Sequence, residues 1–450
     1  MQVNPFTERE RPASAALCAT AVALALILGG CGGDNNGDKA AGTATTAAAG
    51  GAATTASLKC GLGNGKKASG TPVKIGAIVT QQPGTDFTDI TNAAKAYFDC
   101  VNDNGGINGK PVSYLPQPEQ TDPAQVASLA KKLAESEQVV AVVGNTSLIE
   151  CAVNHKYWES KGYSVIDSGI APECYSTPNS AAVNMGPRYS SDGAVQSLIG
   201  KGVKKIAFVQ SNVPGTGYIE AGPKLVAAAA KIPIASLKEN VPIQDANSAA
   251  LKAVQAAGEG GGVVLNFTPP EALKILQAAQ RQGLQDRVKW GCSTPCNTDF
   301  LAKALGDAWD GKLFVNAELN LITADAPDSN LYREVRKKYA PDIPLGSFSQ
   351  MGFIMGRIAT EALQKVSGDY TKDSVNKAFL DVKDFKTDIL CNPWYYGKAP
   401  LHIPNNVDRT VTPKGGTMVE NEDCFPISDV DPGIKQVREI EQKDPSLIGK

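Results

Sequence analysis

The chain has 450 residues, enough for two or three ordinary domains. Its 44 basic and 46 acidic side chains leave a net charge of −2, and 42% of residues are hydrophobic, which excludes a disordered or polytopic chain. A balance so near neutral, with no long basic run, argues against a nucleic-acid surface, and two histidines leave little room for histidine-rich metal chemistry.

Residues 1–12 are mostly polar, with Arg9 and Arg11 offset by Glu8 and Glu10. Residues 13–28 are almost wholly apolar or small, too short a block for a membrane span but right for the core of a signal peptide. The block ends in Leu28-Gly29-Gly30-Cys31, which resembles the lipobox of bacterial lipoproteins. That resemblance implies a signal peptide over 1–30, diacylglycerol on the Cys31 thiol, and a lipid anchor on the extracytoplasmic face of the cell membrane. A plain secretory signal with an incidental cysteine is the alternative. Gly32 to Ser57 holds no aromatic and no branched aliphatic residue, so it cannot repay its ordering entropy and reads as a tether, placed at 31–59 with the anchor.

The folded body begins near Cys60. Val73–Thr80 (VKIGAIVT) is an apolar run expected to be a buried strand, and Ile90, Ala94, Tyr97, Phe98 and Val101 mark one face of a helix. A second strand begins over Pro111–Leu115, a helix follows at Val126–Leu133, and Val139–Val143 is a third strand. A helix running to Trp158 and a strand at Ser164–Asp167 complete the first unit. The pattern restarts with a helix at Ser191–Ile199 and strands at Lys205–Gln210, Ile234–Lys238, Gly262–Phe267, Val288–Gly291 and Leu313–Asn316. Helices are expected between them at Gly222–Ala230, Asn247–Ala257 and Pro270–Gln282. Strands alternating with helices predict parallel sheets covered by helices, in two lobes. Three more helices fall at Asn330–Tyr339, Met351–Val366 and Lys372–Leu380, Leu390–Ile427 reads as strands and loops, and 431–450 as a charged, peripheral tail.

Cofactor and catalytic motifs are thin. The turn Pro214-Gly215-Thr216-Gly217 is no G-x-G-x-x-G, and neither a phosphate-binding G-x-x-x-x-G-K-[ST] nor a G-x-S-x-G elbow occurs. His155 and His402 lie in unrelated contexts, so a histidine-based hydrolase has no support. No cofactor, no metal and no enzymatic activity are expected. Setting aside Cys18 and Cys31 leaves Cys60, Cys100, Cys151, Cys174, Cys292, Cys296, Cys391 and Cys424, an even count that suggests disulfides in an exported protein. A metal or redox role for Cys292 and Cys296 is the rival reading.

The segment VKIGAIVT…AKAYFDCVNDNGGINGKPV (Val73–Val112) resembles the start of the branched-chain-amino-acid type of periplasmic binding protein. VVAVVGNTS (Val139–Ser147), VIDSGIAPE (Val165–Glu173) and GKGVKKIAFVQSN (Gly200–Asn212) continue the likeness in order. The resemblance implies a type I solute-binding protein: two Rossmann-like α/β lobes with parallel-sheet cores, joined by three crossovers, with a ligand between them. The lobes would be 60–188 plus 319–406 and 189–318 plus 407–430, leaving 431–450 as tail. Sequence order and this fold suggest disulfides 60–100, 151–174, 292–296 and 391–424. The implied role is to capture a small polar organic solute, an amino acid or an organic or aromatic acid, as a monomer and deliver it to ABC permease subunits. A ligand-sensing receptor domain of the same fold is the alternative.

The family's binding residues carry over only in part. The loop after the third strand supplies a serine to the ligand carboxylate, and here offers Thr146 or Ser147. The loop after the fourth reads Ser168-Gly169-Ile170-Ala171-Pro172-Glu173, with Ile170 where the family has a threonine and Ser168 as a possible substitute. The family's aromatic falls near Gly215, with Tyr218 three residues on and Asn212 just before. Its ammonium-gripping acid falls at Ser293, so Glu318 is the remaining carboxylate candidate. Phe87 and Phe267 complete the expected set, as wall or as core. A buried ammonium without a carboxylate partner is costly, so the ligand is either an amino acid served by Glu318 or a molecule without an ammonium.

Overall fold

The computed structural model describes residues 59–397, 399 and 401–450; the expected signal peptide, Cys31 and nearly all of the tether lie outside them. In chain order the first elements are β1 (Val73–Gln82), β2 (Thr85–Asp86), α1 (Thr88–Asp103), β3 (Val112–Glu119), α2 (Pro123–Lys131) and β4 (Ala141–Asn145). Then come α3 (Glu150–Lys161), β5 (Val165–Asp167) and β6 (Ser180–Ala182). β3, β1, β4, β5 and β6 lie side by side, all parallel, with the short β2 turned back on the end of β1. β1 is buried along most of its length, as expected of a central strand covered on both faces. β3 runs four residues further than the sequence suggests, through Pro116 and Pro118. Prolines fit there because, among the described residues, β3 pairs only with β1 and leaves its other edge free.

The chain then crosses to a second lobe through 183–185. There it forms α4 (Gly186–Gly200), β7 (Ile206–Ser211), α5 (Ala221–Ala229), β8 (Ile234–Glu239), α6 (Ala246–Ala257) and β9 (Gly262–Asn266). α7 (Pro269–Arg281), β10 (Lys289–Cys292), α8 (Asp299–Leu305) and β11 (Leu313–Ala317) follow. After β11 the chain returns to the first lobe as α9 (Pro327–Tyr339), α10 (Ser347–Gln364) and α11 (Lys372–Leu380). A third crossing leads to the hairpin β12 (Val407–Lys414) and β13 (Thr417–Pro426), antiparallel at the edge of the second sheet, whose order is β13-β12-β11-β10-β9-β7-β8. The two α/β lobes and their crossovers are those of the type I periplasmic binding protein fold. Asn405 draws the three crossings together: its side-chain amide donates to the carbonyls of Val183 at 3.1 Å and Glu318 at 3.0 Å.

Residues 431–450 are not peripheral. They form α12 (Pro432–Lys443) and a last helical turn, and Ile434 and Val437 are fully buried against Tyr175, Met185, Ile403 and Ile427. Most of the helix's charges face outward, so composition hid an apolar stripe, on which Glu441 is buried and bonded to Tyr395 and Asn406. Asp431 caps it and pairs with Arg188 at 2.7 Å, beside the first crossing.

Among the described residues four disulfides are present, Cys60–Cys100, Cys151–Cys174, Cys292–Cys296 and Cys391–Cys424. The six cysteines of the first three are buried. Cys424 is exposed on β13, and Cys391 follows Ile389 and Leu390 of the first lobe's core, so this bond straps the two lobes together. A mild thiol reductant is therefore expected to open Cys391–Cys424 first. Alkylation and peptide mass mapping check the order; equal labelling of all four pairs would contradict it.

Candidate functional site

A cleft opens between the lobes, outside the carboxyl ends of the strands, where ligands of open α/β sheets sit. It holds about 730 Å³ of atom-free space, part of it open to solvent. Most of the parallel strands contribute from their carboxyl ends. Phe87 follows β2, Thr146 and Leu148 follow β4, and Ser168 and Ile170 follow β5. From the second lobe come Thr216 after β7, Val241 after β8, Phe267 and Thr268 after β9, Pro295 after β10 and Glu318 after β11. The first turns of α10 close the wall with Phe348 and Met351.

Six of the eleven expected ligand residues line this cleft: Phe87, Thr146, Ser168, Ile170, Phe267 and Glu318. The other five stand outside it. Ser147 is turned away, because its hydroxyl donates to Glu119 at 2.8 Å and accepts the first N–H groups of α3 from Ile149 and Glu150. Gly169 is a packing glycine, where a Cβ would lie 2.7 Å from that of Cys174. Asn212 is exposed, its N–H on the Glu239 carbonyl and its side chain on Asn240. The Tyr218 hydroxyl donates to the Ile170 carbonyl and joins the lobes. Ser293 is wholly buried behind Pro295, its hydroxyl without a hydrogen-bond partner.

Several lining residues escaped sequence reasoning. Asn266 and Thr268 flank Phe267, and a rule naming every residue after a strand end finds them. Asn184 follows β6, a strand of three residues with no periodic signal. Phe348 and Met351 come from a helix far along the chain and have no local signature. Glu119 does not line the cleft, yet it fixes the rim: Thr80, Ser147 and the Thr121 N–H all donate to its carboxylate.

The electrostatics are spare. Among the described residues, Glu318 is the one ionisable side chain lining the cleft, and no basic group faces it. Burial pushes the Glu318 carboxyl up to about 8, against the lowering effect of hydrogen bonds from the Met185 N–H, at 2.5 Å, and Thr294. Near neutral pH it is mainly a neutral acid. Much of the remaining polarity is already spent within the protein. Thr80 accepts the Leu148 N–H, Ser147 takes the N–H groups at the start of α3, Asn184 bonds the Gly169 carbonyl and Tyr175, and Ser168 donates to Met351 sulfur. α7 begins with Pro269-Pro270 and has no N–H to offer there. The cleft therefore suits an apolar body with few polar groups, and it offers a fixed anion no cation. His155 and His402 sit elsewhere, bonded to backbone carbonyls of Cys151, Ala399 and Ser180.

Residues 72–406 match the family model described as periplasmic binding protein. Comparison with curated proteins gave no match. Among solved structures, a branched chain amino acid ABC transporter from Thermus thermophilus with bound valine superposes with a TM-score of 0.72 at 16% identity, over 82% of this chain and 99% of that one. A fatty acid ABC transporter substrate-binding protein from Thermomonospora curvata gives 0.68 at 19% identity, over 83% and 96%. A solute-binding protein of an R. palustris ABC transporter, in complex with benzoate, gives 0.66 at 17% identity, over 78% and 96%. At these identities the likeness is one of fold.

Proposed function

The chain belongs to the periplasmic binding protein family, and on that premise we propose that it captures a small organic solute with an apolar body and no ammonium group, and passes it to an ABC importer. The observation that carries the solute class is the cleft wall, with one carboxyl and no cation. Phe87, Ile170 and Phe267 hold the body of the solute, while Thr146, Ser168 and the protonated Glu318 meet its polar end. The protein acts on the extracytoplasmic side as a monomer, anchored through lipid on Cys31, with lobes divided at 188/189, 318/319 and 406/407. It binds and releases; no chemistry on the solute is required of it.

A second reading, an amino-acid ligand as in the branched-chain family, rests on the same Glu318. Ionising that carboxyl at pH 7 costs about 1.4 kcal/mol, one pKa unit, which an ammonium in contact with it would offset. Native mass spectrometry of the purified chain with its co-purified solute decides between the two. A molecule with an apolar body and no ammonium group is expected; a leucine-like mass would overturn the first reading. A protein that carries no solute and that no small molecule stabilises against heat would overturn both.

A further inference from the structure

A second chamber of about 790 Å³, part of it open to solvent, adjoins the cleft, and two residues, Phe348 and Pro295, line both spaces. One comes from each lobe: Phe348 from the first turn of α10, Pro295 from the turn inside the Cys292–Cys296 loop. Phe348 is held edge-on against Phe87, with ring centroids 5.6 Å apart and planes at 86°. It is only half-buried, because its other side faces the second chamber.

Elsewhere the lobes already meet around the cleft. A Cβ on Gly84 would lie 2.8 Å from the Pro242 nitrogen, and one on Gly215 would lie 2.8 Å from the Leu148 carbonyl oxygen. The Thr268 hydroxyl donates to the Gly84 carbonyl at 3.3 Å, and Tyr218 reaches Ile170. The inner wall is packed shut by Ser168, Ser190, Glu318 and Met351, all nearly fully buried. Past Phe348 and Pro295 a solute that outgrows the main chamber can extend within the protein rather than out through the open side.

We propose that Phe348, opposed by Pro295, sets the upper length of the solute by closing the main chamber off from the second one. This rests on the solute-binding reading above. Short solutes fit behind the ring, and longer ones must displace it or keep the lobes apart. One side of the second chamber is apolar, with Pro269, Pro270, Phe300 and Pro344, and can take an extended apolar tail once the ring is removed; Asp86 and Asp89 also line the chamber.

The test uses the full chain and two uncharged probe series, straight-chain primary amides and ω-phenylalkanamides of increasing length, with affinity read by thermal shift and calorimetry. The wild type should lose affinity at least tenfold beyond some length. Phe348→Ala should bind members two or more carbons beyond that limit at least tenfold more tightly than the wild type does. Phe348→Trp should keep or shorten the limit, which guards against a variant that merely loosens the fold. The proposal is overturned if Phe348→Ala keeps the wild-type length profile, or if the wild type shows no limit. If neither protein binds any member, the solute class proposed above fails as well, a result distinct from an unchanged profile.

Discussion

Solute affinity is expected to be flat from pH 6 to about 7.5, to halve near pH 8, and then to fall about tenfold per pH unit. The cause is Glu318, whose carboxyl burial raises to about 8. A solute without positive charge prefers the protonated cleft, so ionising Glu318 in the free protein competes with binding. Above the raised pKa each further unit leaves a tenth of the protein in the competent form. Glu318→Gln keeps the shape and neutrality of the acid, and should hold affinity within about threefold while flattening the profile. An ammonium-bearing solute inverts every sign. Its affinity would rise with pH up to about 8, and Glu318→Gln would cost about a hundredfold or more, the loss of a buried charge partner. Calorimetric titration across pH 6 to about 9.5, with the solute found by mass spectrometry, reads the sign directly. The same proton bears on folding. A carboxyl raised from 4.5 in the unfolded chain to about 8 when folded contributes stability that is full below 4.5 and lost as pH rises through 8. Glu318→Gln should remove that slope too.

The residues that sequence reasoning located, and those it did not, divide by the range of the interaction that places them. Buried strands such as β7 and β9 are short apolar runs that nothing but a covered sheet explains, and the loops after them inherit their position. Thr146, Ser168, Ile170 and Phe267 were reachable for that reason. Ser147 shares its loop with Thr146, but which of two neighbouring hydroxyls faces the cleft depends on Glu119, at the end of a different strand. Tyr218 and Asn212 sit in the expected loop, yet one is spent on the Ile170 carbonyl and the other faces solvent. Glu318 was legible as a lone carboxylate near a crossing; that it is protonated follows only from its burial. α12 was missed because a helix with five charged residues in twelve still has an apolar stripe that two buried residues satisfy.

Gly352→Ala is expected to destabilise the protein by about 2–3 kcal/mol and to weaken solute binding at least tenfold. α1 and α10 cross closely, and a Cβ at Gly352 would lie 1.9 Å from the Ile90 carbonyl oxygen and 2.9 Å from the Ala94 nitrogen. Both neighbours are backbone, so no side-chain rotation relieves the clash and the helices must part. One turn on, a Cβ at Gly356 would meet the Tyr97 ring at 2.9 Å, and that ring is itself locked edge-on against Phe353 at 5.1 Å. The cost is not confined to the core, because the N-terminal ends of the same two helices carry the first lobe's side of the cleft. Phe87 and Ile90 come from the start of α1, Phe348 and Met351 from the start of α10. Parting the helices moves both pairs and loosens the Phe87–Phe348 contact. Gly200→Ala, at the end of α4 with nothing within 4 Å of the added carbon, is the control and should be neutral or stabilising by up to about 1 kcal/mol. Thermal unfolding and solute titration of the three proteins separate the effects. Gly352→Ala with an unchanged midpoint would show that the crossing yields more easily than its backbone contacts imply. A lowered midpoint with unchanged affinity would mean that the cleft wall does not depend on how closely α1 and α10 approach.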